Sequence, residues 1–392
     1  MIFQALGAKY TISMAIRHLF TKGSKKDISK TEAILKKRYH GEDAVLYYKG
    51  RAALAEAVRL ATGGEGKVAI SGLTCYSLVQ AVEAAGCQPV FVDISDDTLH
   101  FTADELEKTL SSVSGVKAVI IHNMLGIPVD IKSIAALTHK HAIALIEDLA
   151  HSAGATYSDG REVGTVGDFT VLSFGRDKAL DTVNGGALVV RQPEVELARP
   201  VDAVSHGNQL RDRLYPLIAW TARKLYPINL GSYVMAAAIR MKLVIRSADG
   251  EVTISEALPS WQAKLARKQL QHIMTTAKAR RTKAAMYLRE LDEFAPAGAN
   301  QDGAALIRVP LLASNRDEIV SHLRKYGVQA NDIWYDVPVS PVRFYSAIDY
   351  PEADCPVAVR TAARLVNLPT HEQISHVHVA HISRLVQEVA KA

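Results

Sequence analysis

Short apolar runs alternate with helically spaced segments through the first half of the chain. Residues 68–70, 89–92, 116–121, 142–146 and 169–174 read as buried strands. Between them, residues 50–60, 78–85, 104–110 and 131–141 place apolar side chains every three or four positions. Strands alternating with helices of this length predict βαβ units. The fold class is therefore α/β, with a mainly parallel sheet flanked by helices. Such sheets bind ligands beyond the carboxyl ends of their strands. Residues 1–40 are basic and modestly amphipathic, enough for one or two helices. Residues 261–291 read as one long basic helix. A strand at 307–311, a helix at 317–326 closed by Gly327, and a strand at 365–368 follow. The expected organisation is a large domain over 1–250, with a helical insertion at 200–250, and a smaller C-terminal α+β domain over 251–392.

Composition narrows the classes without choosing a function. The 392 residues suffice for two domains. A net charge of +5, from 46 basic and 41 acidic residues, is too mild to argue for nucleic acid but suits a phosphorylated substrate. Cys75, Cys87 and Cys355 form no metal-ligand or redox spacing, and no metal is expected. Three scattered cysteines and the lack of a signal-peptide pattern fit a reducing cytoplasm. Residues 200–250 mix aromatic, aliphatic and basic side chains. They form either a helical hairpin packed on the rest of the chain or on a second copy of it, or, over 205–245, a basic amphipathic face on the inner membrane surface.

The chemistry concentrates between Ile146 and Val190. Asp148 follows the 142–146 run, Ser173 lies in the 169–174 run, Lys178 comes five residues later, and Gly185-Gly186 opens another apolar run. A carboxylate, a hydroxyl and a lysine at strand ends make up the set that pyridoxal 5'-phosphate requires. The lysine binds its aldehyde, the carboxylate keeps the pyridine nitrogen protonated, and hydroxyl and backbone donors hold the phosphate. Glu147 competes with Asp148 for the ring nitrogen. Gly50-Arg51-Ala52 precedes a helix whose first amides would face an anion.

The order Asp148, His151, Gly154-Ala155, Val163-Gly164, Gly167-Asp168, Ser173-Phe174, Lys178, Gly185-Gly186 resembles the DegT/DnrJ/StrS-type sugar aminotransferases, which are fold-type-I pyridoxal phosphate enzymes. The resemblance covers about 45–190 well and about 300–385 loosely. It implies Lys178 as the catalytic lysine and proton carrier, Asp148 on the ring nitrogen, and His151 either beside the ring or orienting Asp148. It implies Ser173, Gly50, Arg51 and Ala52 at the phosphate, with Arg51 standing where relatives carry a hydroxyl. Arg51 meets either the phosphate or the substrate. Where relatives stack an aromatic residue on the ring this chain has Cys75, with Tyr76 next; either Tyr76 supplies the stack or a smaller residue covers the ring. His122-Asn123 faces the same side as Asp148, and Asn184 replaces an acidic residue.

The implied activity moves an amino group from an amino acid, by analogy L-glutamate, to a keto sugar, most simply a nucleotide-linked one. The resemblance also implies a homodimer with shared active sites, to which residues 205–240 contribute. A sugar dehydratase of the same family would carry histidine in place of Lys178. A non-catalytic cofactor-binding regulator would not need the lysine.

Overall fold

The computed structural model describes residues 1–95, 98–246, 248–330 and 334–391. Its largest sheet runs, in spatial order, Asp202–Ala203, Glu256–Ala257, Asp43–Tyr47, Gly186–Val190, Phe169–Ser173, Ala144–Asp148, Val116–His122, Lys67–Ser71, Gln88–Val92. The five strands from Phe169–Ser173 to Gln88–Val92 are parallel, as the βαβ spacing predicts. Gly186–Val190 and Asp43–Tyr47 join antiparallel, so the sheet is mixed. The Asp43–Tyr47 strand escaped the pattern reading. Its run is short and buries four successive residues, so it shows no alternation to mark it as a strand.

One boundary moved with consequence. The expected 142–146 strand lies at Ala144–Asp148, because Ala142 sits in a left-handed turn (φ 52°) after the helix Ile131–Lys140. Asp148 is thus the last residue of the strand itself, pairing with His122 on one side and Val171 on the other.

Period-two alternation sends side chains into two cores. Ala118, Ile120, Leu188 and Val190 pack with the helices Gly50–Thr62 and Tyr76–Ala84. Val119, Ile121, Ala187 and Val189 pack beneath Lys25–Arg38, Ala103–Ser112, Ile131–Lys140 and Ser260–Leu270.

The predicted helix at 261–291 is two helices, Ser260–Leu270 and Ile273–Leu291. The interruption at Gln271-His272 lets the second rod cross between cores. Ile273 and Ala277 pack in the sheet's core, whereas Ala284, Tyr287 and Leu291 belong to a further core built around Arg308–Leu312 and its antiparallel partner Leu365–Pro369. The amino terminus joins that further core, with Ile2–Phe3 pairing to Val328–Gln329.

Residues 206–240 form a hairpin of helices, His206–Leu225 and Gly231–Arg240, against the amino-terminal helix Ile12–Phe20. Tyr10, Val183, Tyr215, Ala219, Ala238 and Val244 make its small core. No helix among the described residues is long and apolar enough to cross a membrane.

Candidate active site

A cavity of about 480 Å³ opens at the carboxyl ends of the parallel strands. Lys178, Asp148, His151, Ser173, Gly50, Arg51 and Cys75 all line it, although 128 positions separate the first and last of them in sequence. Ala52 and Tyr76 do not. The Ala52 amide is spent on the Lys49 carbonyl at 3.2 Å, inside the first helical turn. Tyr76 stacks on Phe344 instead, with ring centroids 4.3 Å apart. The fold therefore does not bring these two to the cavity: a tertiary partner takes the aromatic ring, and the helix takes the amide.

Lys178 Nζ lies 2.8 Å from His151 Nε2. On the opposite edge of the imidazole, the Leu125 amide donates to Nδ1 at 3.2 Å. That donor assigns the ring proton to Nε2 in the neutral imidazole. Nε2–H can then bond to Lys178 only if the lysine is a neutral amine. Burial supports both halves of this arrangement, since it lowers the Lys178 pKa and holds His151 well below the usual imidazole range. His151 stacks on Trp334 at 4.9 Å, and Lys178 Nζ lies 4.5 Å above the same indole. His151 thus bonds to the lysine and to a backbone amide rather than orienting Asp148. His122 tilts against it at 4.4 Å and also lines the cavity.

Asp148 accepts one hydrogen bond, from the Ala150 amide at 2.9 Å. Burial pushes its pKa up to about 6. A buried carboxylate so thinly partnered suits a cationic ligand group, such as a protonated pyridine nitrogen. Glu147 points to the other face and is saturated. It accepts from Tyr157 Oη at 2.6 Å and from the amides of Gly164, Val166 and Gly167, and it pairs with Arg191. The Val-Gly-x-x-Gly-Asp motif therefore cradles Glu147, which removes Glu147 as a rival for the ring nitrogen.

Gly50 starts a helix pressed against the end of the Ser173 strand. A Cβ on Gly50 would lie 2.8 Å from Ser173 Cβ and Oγ, and one on Gly186 would lie 2.5 Å from Gly50 Cα. The three residues thus bring the helix's first amides and the Ser173 hydroxyl to one place, suited to a phosphate. Arg51 is buried there, donating to Gln80 Oε1 and to the Ala248 and Asp249 carbonyls. Asn184 donates to Asp212 at 2.7 Å. An acidic residue at 184 would face that buried carboxylate, so the amide is the compatible partner.

Sequence reasoning missed the walls contributed from afar: Trp334 and Tyr335 from the core around Arg308–Leu312, Arg343 from the short helix Val342–Tyr345, and Tyr215, Met235 and Arg246 from the hairpin region. No local signal marks them, because each is an ordinary core or surface residue until the fold closes. The 205–240 segment, expected to serve a partner's site, already lines the cavity of its own chain.

An enclosed lysine with a lowered pKa, a cation-seeking carboxylate and an anion cradle at strand ends fit pyridoxal phosphate, and the fold and site are those of a pyridoxal-phosphate-dependent enzyme. The chain belongs to the DegT/DnrJ/EryC1/StrS aminotransferase family, which matches residues 15–387. It is 25% identical over 345 residues to a UDP-N-acetyl-3-dehydro-α-D-glucosamine 3-aminotransferase of Acidithiobacillus ferrooxidans, covering 86% of this chain and 82% of that protein. It is 24% identical over 347 residues to a pleiotropic regulatory protein of Geobacillus stearothermophilus, with the same coverage. Among solved structures it resembles DesV of S. venezuelae, with a TM-score of 0.72 and 23% identity, covering 96% of this chain and 93% of that one.

Proposed function

We propose that this aminotransferase takes an amino group from an amino acid, with L-glutamate the first donor to test, and delivers it to a keto carbon of a sugar carried on a nucleoside diphosphate. Bound pyridoxal phosphate would supply an aldehyde and an electron sink. Lys178 would hold the aldehyde and, once displaced by the donor, carry the proton as a neutral amine. His151 Nε2–H fixes where that amine rests. Asp148 would hold the ring nitrogen's proton, and Gly50, Arg51 and Ser173 the phosphate.

The observation that carries the sugar nucleotide is a cationic cluster. Lys49, Arg51, Arg176 and Arg246 line the cavity, and Arg211 joins three of them in an adjoining pocket of about 60 Å³. None of the five forms an ion pair among the described residues, whereas Arg343 nearby pairs with Asp249. A cofactor phosphate brings about two negative charges. Of the four cations that line the cavity, two charges then remain, which matches a diphosphate diester with roughly one charge per phosphate. Asp212, the carboxylate of that smaller pocket, is occupied by Tyr48, Asn184 and Gln262.

The regulator reading keeps one support, the name of the Geobacillus relative. Lys178 supports the aminotransferase over the dehydratase. An absorbance spectrum separates them. The purified protein is expected to show a band near ~420 nm that moves toward ~330 nm with L-glutamate, and Lys178→Ala is expected to lose both. A bound cofactor that answers no amino acid would favour the regulator. A keto sugar that restores the first band equally well with and without its nucleoside diphosphate would remove the diphosphate from the proposal.

A homodimer belongs to the same reading. The helix Ile12–Phe20 exposes Ile12, Ile16 and Phe20 on successive turns of one face, as a covered surface would. Sedimentation should give twice the chain mass of 42.6 kDa, and Phe20→Glu should shift it toward the monomer. A monomer that cosediments with anionic vesicles would favour the membrane-surface alternative.

A further inference from the structure

The loop carrying Lys178 is held in a costly conformation. Asp177 (φ 62°) and Val183 (φ 74°) both adopt the left-handed region, which disfavours side chains and a β-branched one most. Such residues are strained and persist only where surrounding contacts over-determine them. One carboxylate supplies those contacts. Asp181 accepts the Asp177 amide on Oδ2 at 3.1 Å and the Val183 amide on Oδ1 at 2.9 Å. It thereby ties together both left-handed residues that flank Lys178.

Asp181 is almost completely buried, so its charge needs a counter-charge inside the protein. The amino-terminal segment brings it. Lys9 Nζ lies 3.5 Å from Asp181 Oδ2, and Tyr10 Oη donates to Asp181 Oδ1 at 2.5 Å. Lys9 Nζ also donates to the backbone carbonyl of Lys178 at 3.0 Å. The same ammonium thus touches both the organising carboxylate and the lysine's own main chain. The segment is fixed from its far side by Arg223, which donates to the carbonyls of Leu6, Gly7 and Tyr10. Gln269 fixes the Asp181 main chain, accepting from its amide and donating to its carbonyl. Residues 1–14 precede the region matched by the family, so nothing in that match assigns Lys9 or Tyr10 a role.

We propose that Lys9, Tyr10 and Asp181 are positioning residues: the amino-terminal segment braces the Lys178 loop from behind the cavity and sets where the Lys178 amine stands. The proposal rests on the reading of Lys178 as the cofactor's lysine. A misplacement of roughly 1 Å can cost a factor of ~100 in rate while leaving ligand affinity almost intact.

The test uses full-length Lys9→Met, Lys9→Arg and Tyr10→Phe proteins. In cofactor-free protein, amide exchange at Asp177 and Val183 should rise about 100-fold in Lys9→Met, with exchange in the Val116–His122 strand unmoved. In cofactor-loaded protein, the single-turnover rate with L-glutamate should fall about 100-fold, while the apparent glutamate affinity changes less than threefold. Lys9→Arg, which restores the cation, should recover at least a tenth of that rate. Tyr10→Phe keeps the ring in the core and loses one hydrogen bond, so it reports a smaller loss of the same kind if Lys9→Met does not fold. Native exchange at both amides in folded Lys9→Met protein would overturn the proposal. So would a loss that Lys9→Arg shares in full. Because the exchange measurement needs neither cofactor nor donor, failure of the aminotransferase reading would be seen separately, as absence of any glutamate response in the unsubstituted protein.

Discussion

Glu147 and Asp148 are adjacent carboxylates in opposite circumstances, and that difference is measurable. Asp148 ionises near pH 6 in the folded, cofactor-free protein because it is buried, against about 3.9 in an unfolded chain. The native state therefore binds this proton more tightly, so its stabilising effect is complete below about pH 4 and is lost as pH rises toward 6. Asp148→Asn should accordingly make the cofactor-free protein more stable at pH 7.5, by on the order of 2 kcal/mol, with no difference near pH 4. Asp212, also raised to about 6 by burial, keeps its own share of the slope. Glu147→Gln should act in the opposite sense. It leaves Arg191 and three backbone amides without their carboxylate, at a cost of roughly 3 kcal/mol at neutral pH. Denaturant melts of both variants at pH 4 and 7.5 check the pair. Shifts of the same sign at pH 7.5 would refute the assignment of the two faces. From the sequence both carboxylates were open for the ring nitrogen; strand alternation separates them only once the strand's true end, Asp148, is known.

Among elements, the site depends on how closely the Gly50 helix approaches the Ser173 strand. A methyl group at Gly50 would collide with Ser173 at 2.8 Å, forcing the helix start away from the phosphate position. Gly50→Ala should weaken pyridoxal phosphate binding at least about tenfold, which is 1.4 kcal/mol. Its helix should persist, since alanine favours helices over glycine. Gly207→Ala, also in a first helical turn but facing open space, should leave binding unchanged. Cofactor titration by fluorescence measures both, and equal effects would show that the glycine matters only for backbone freedom. The helix itself was legible from the spacing of AALAEAVRLA. The contact that makes Gly50 necessary was not, because Ser173 and Gly186 lie more than 120 residues away.

For the whole molecule, the first ten residues act as a strap across three bodies. Ile2–Phe3 pairs with Val328–Gln329, Gln4 donates to the Asn367 carbonyl, and Phe3 O lies 2.8 Å from His371 Nε2. Beyond them, Arg223 and Asp181 hold residues 6–10 against the helical hairpin and the Lys178 loop. Removing residues 1–4 should loosen the core around Arg308–Leu312 first. Amide exchange at Gln329, the residue whose main chain faces Ile2 and Gln4, should approach that of exposed backbone, with a stability loss of about 1–3 kcal/mol from the missing hydrogen bonds. Hydrogen exchange read residue by residue checks this, and protection unchanged at Gln329 would contradict it.

The sequence by itself determined the elements that repeat locally and the chemistry that sits within one stretch. Apolar periodicity is a property of neighbours along the chain, so the parallel strands and their helices could be read from it. Asp148, Ser173 and Lys178 fall within 31 residues and announce their cofactor together. Only the tertiary structure decided what surrounds them. The lowered pKa of Lys178 depends on burial, the orientation of its partner His151 on a Leu125 amide, its placement on Lys9 and Tyr10, and the indole beneath it on Trp334. The Cys75 side of the cavity stayed without an aromatic stack because Phe344 captured Tyr76. Such contacts join residues tens to hundreds of positions apart. Their energies come from burial and from directed hydrogen bonds that exist only after the chain has closed, so no local pattern encodes them.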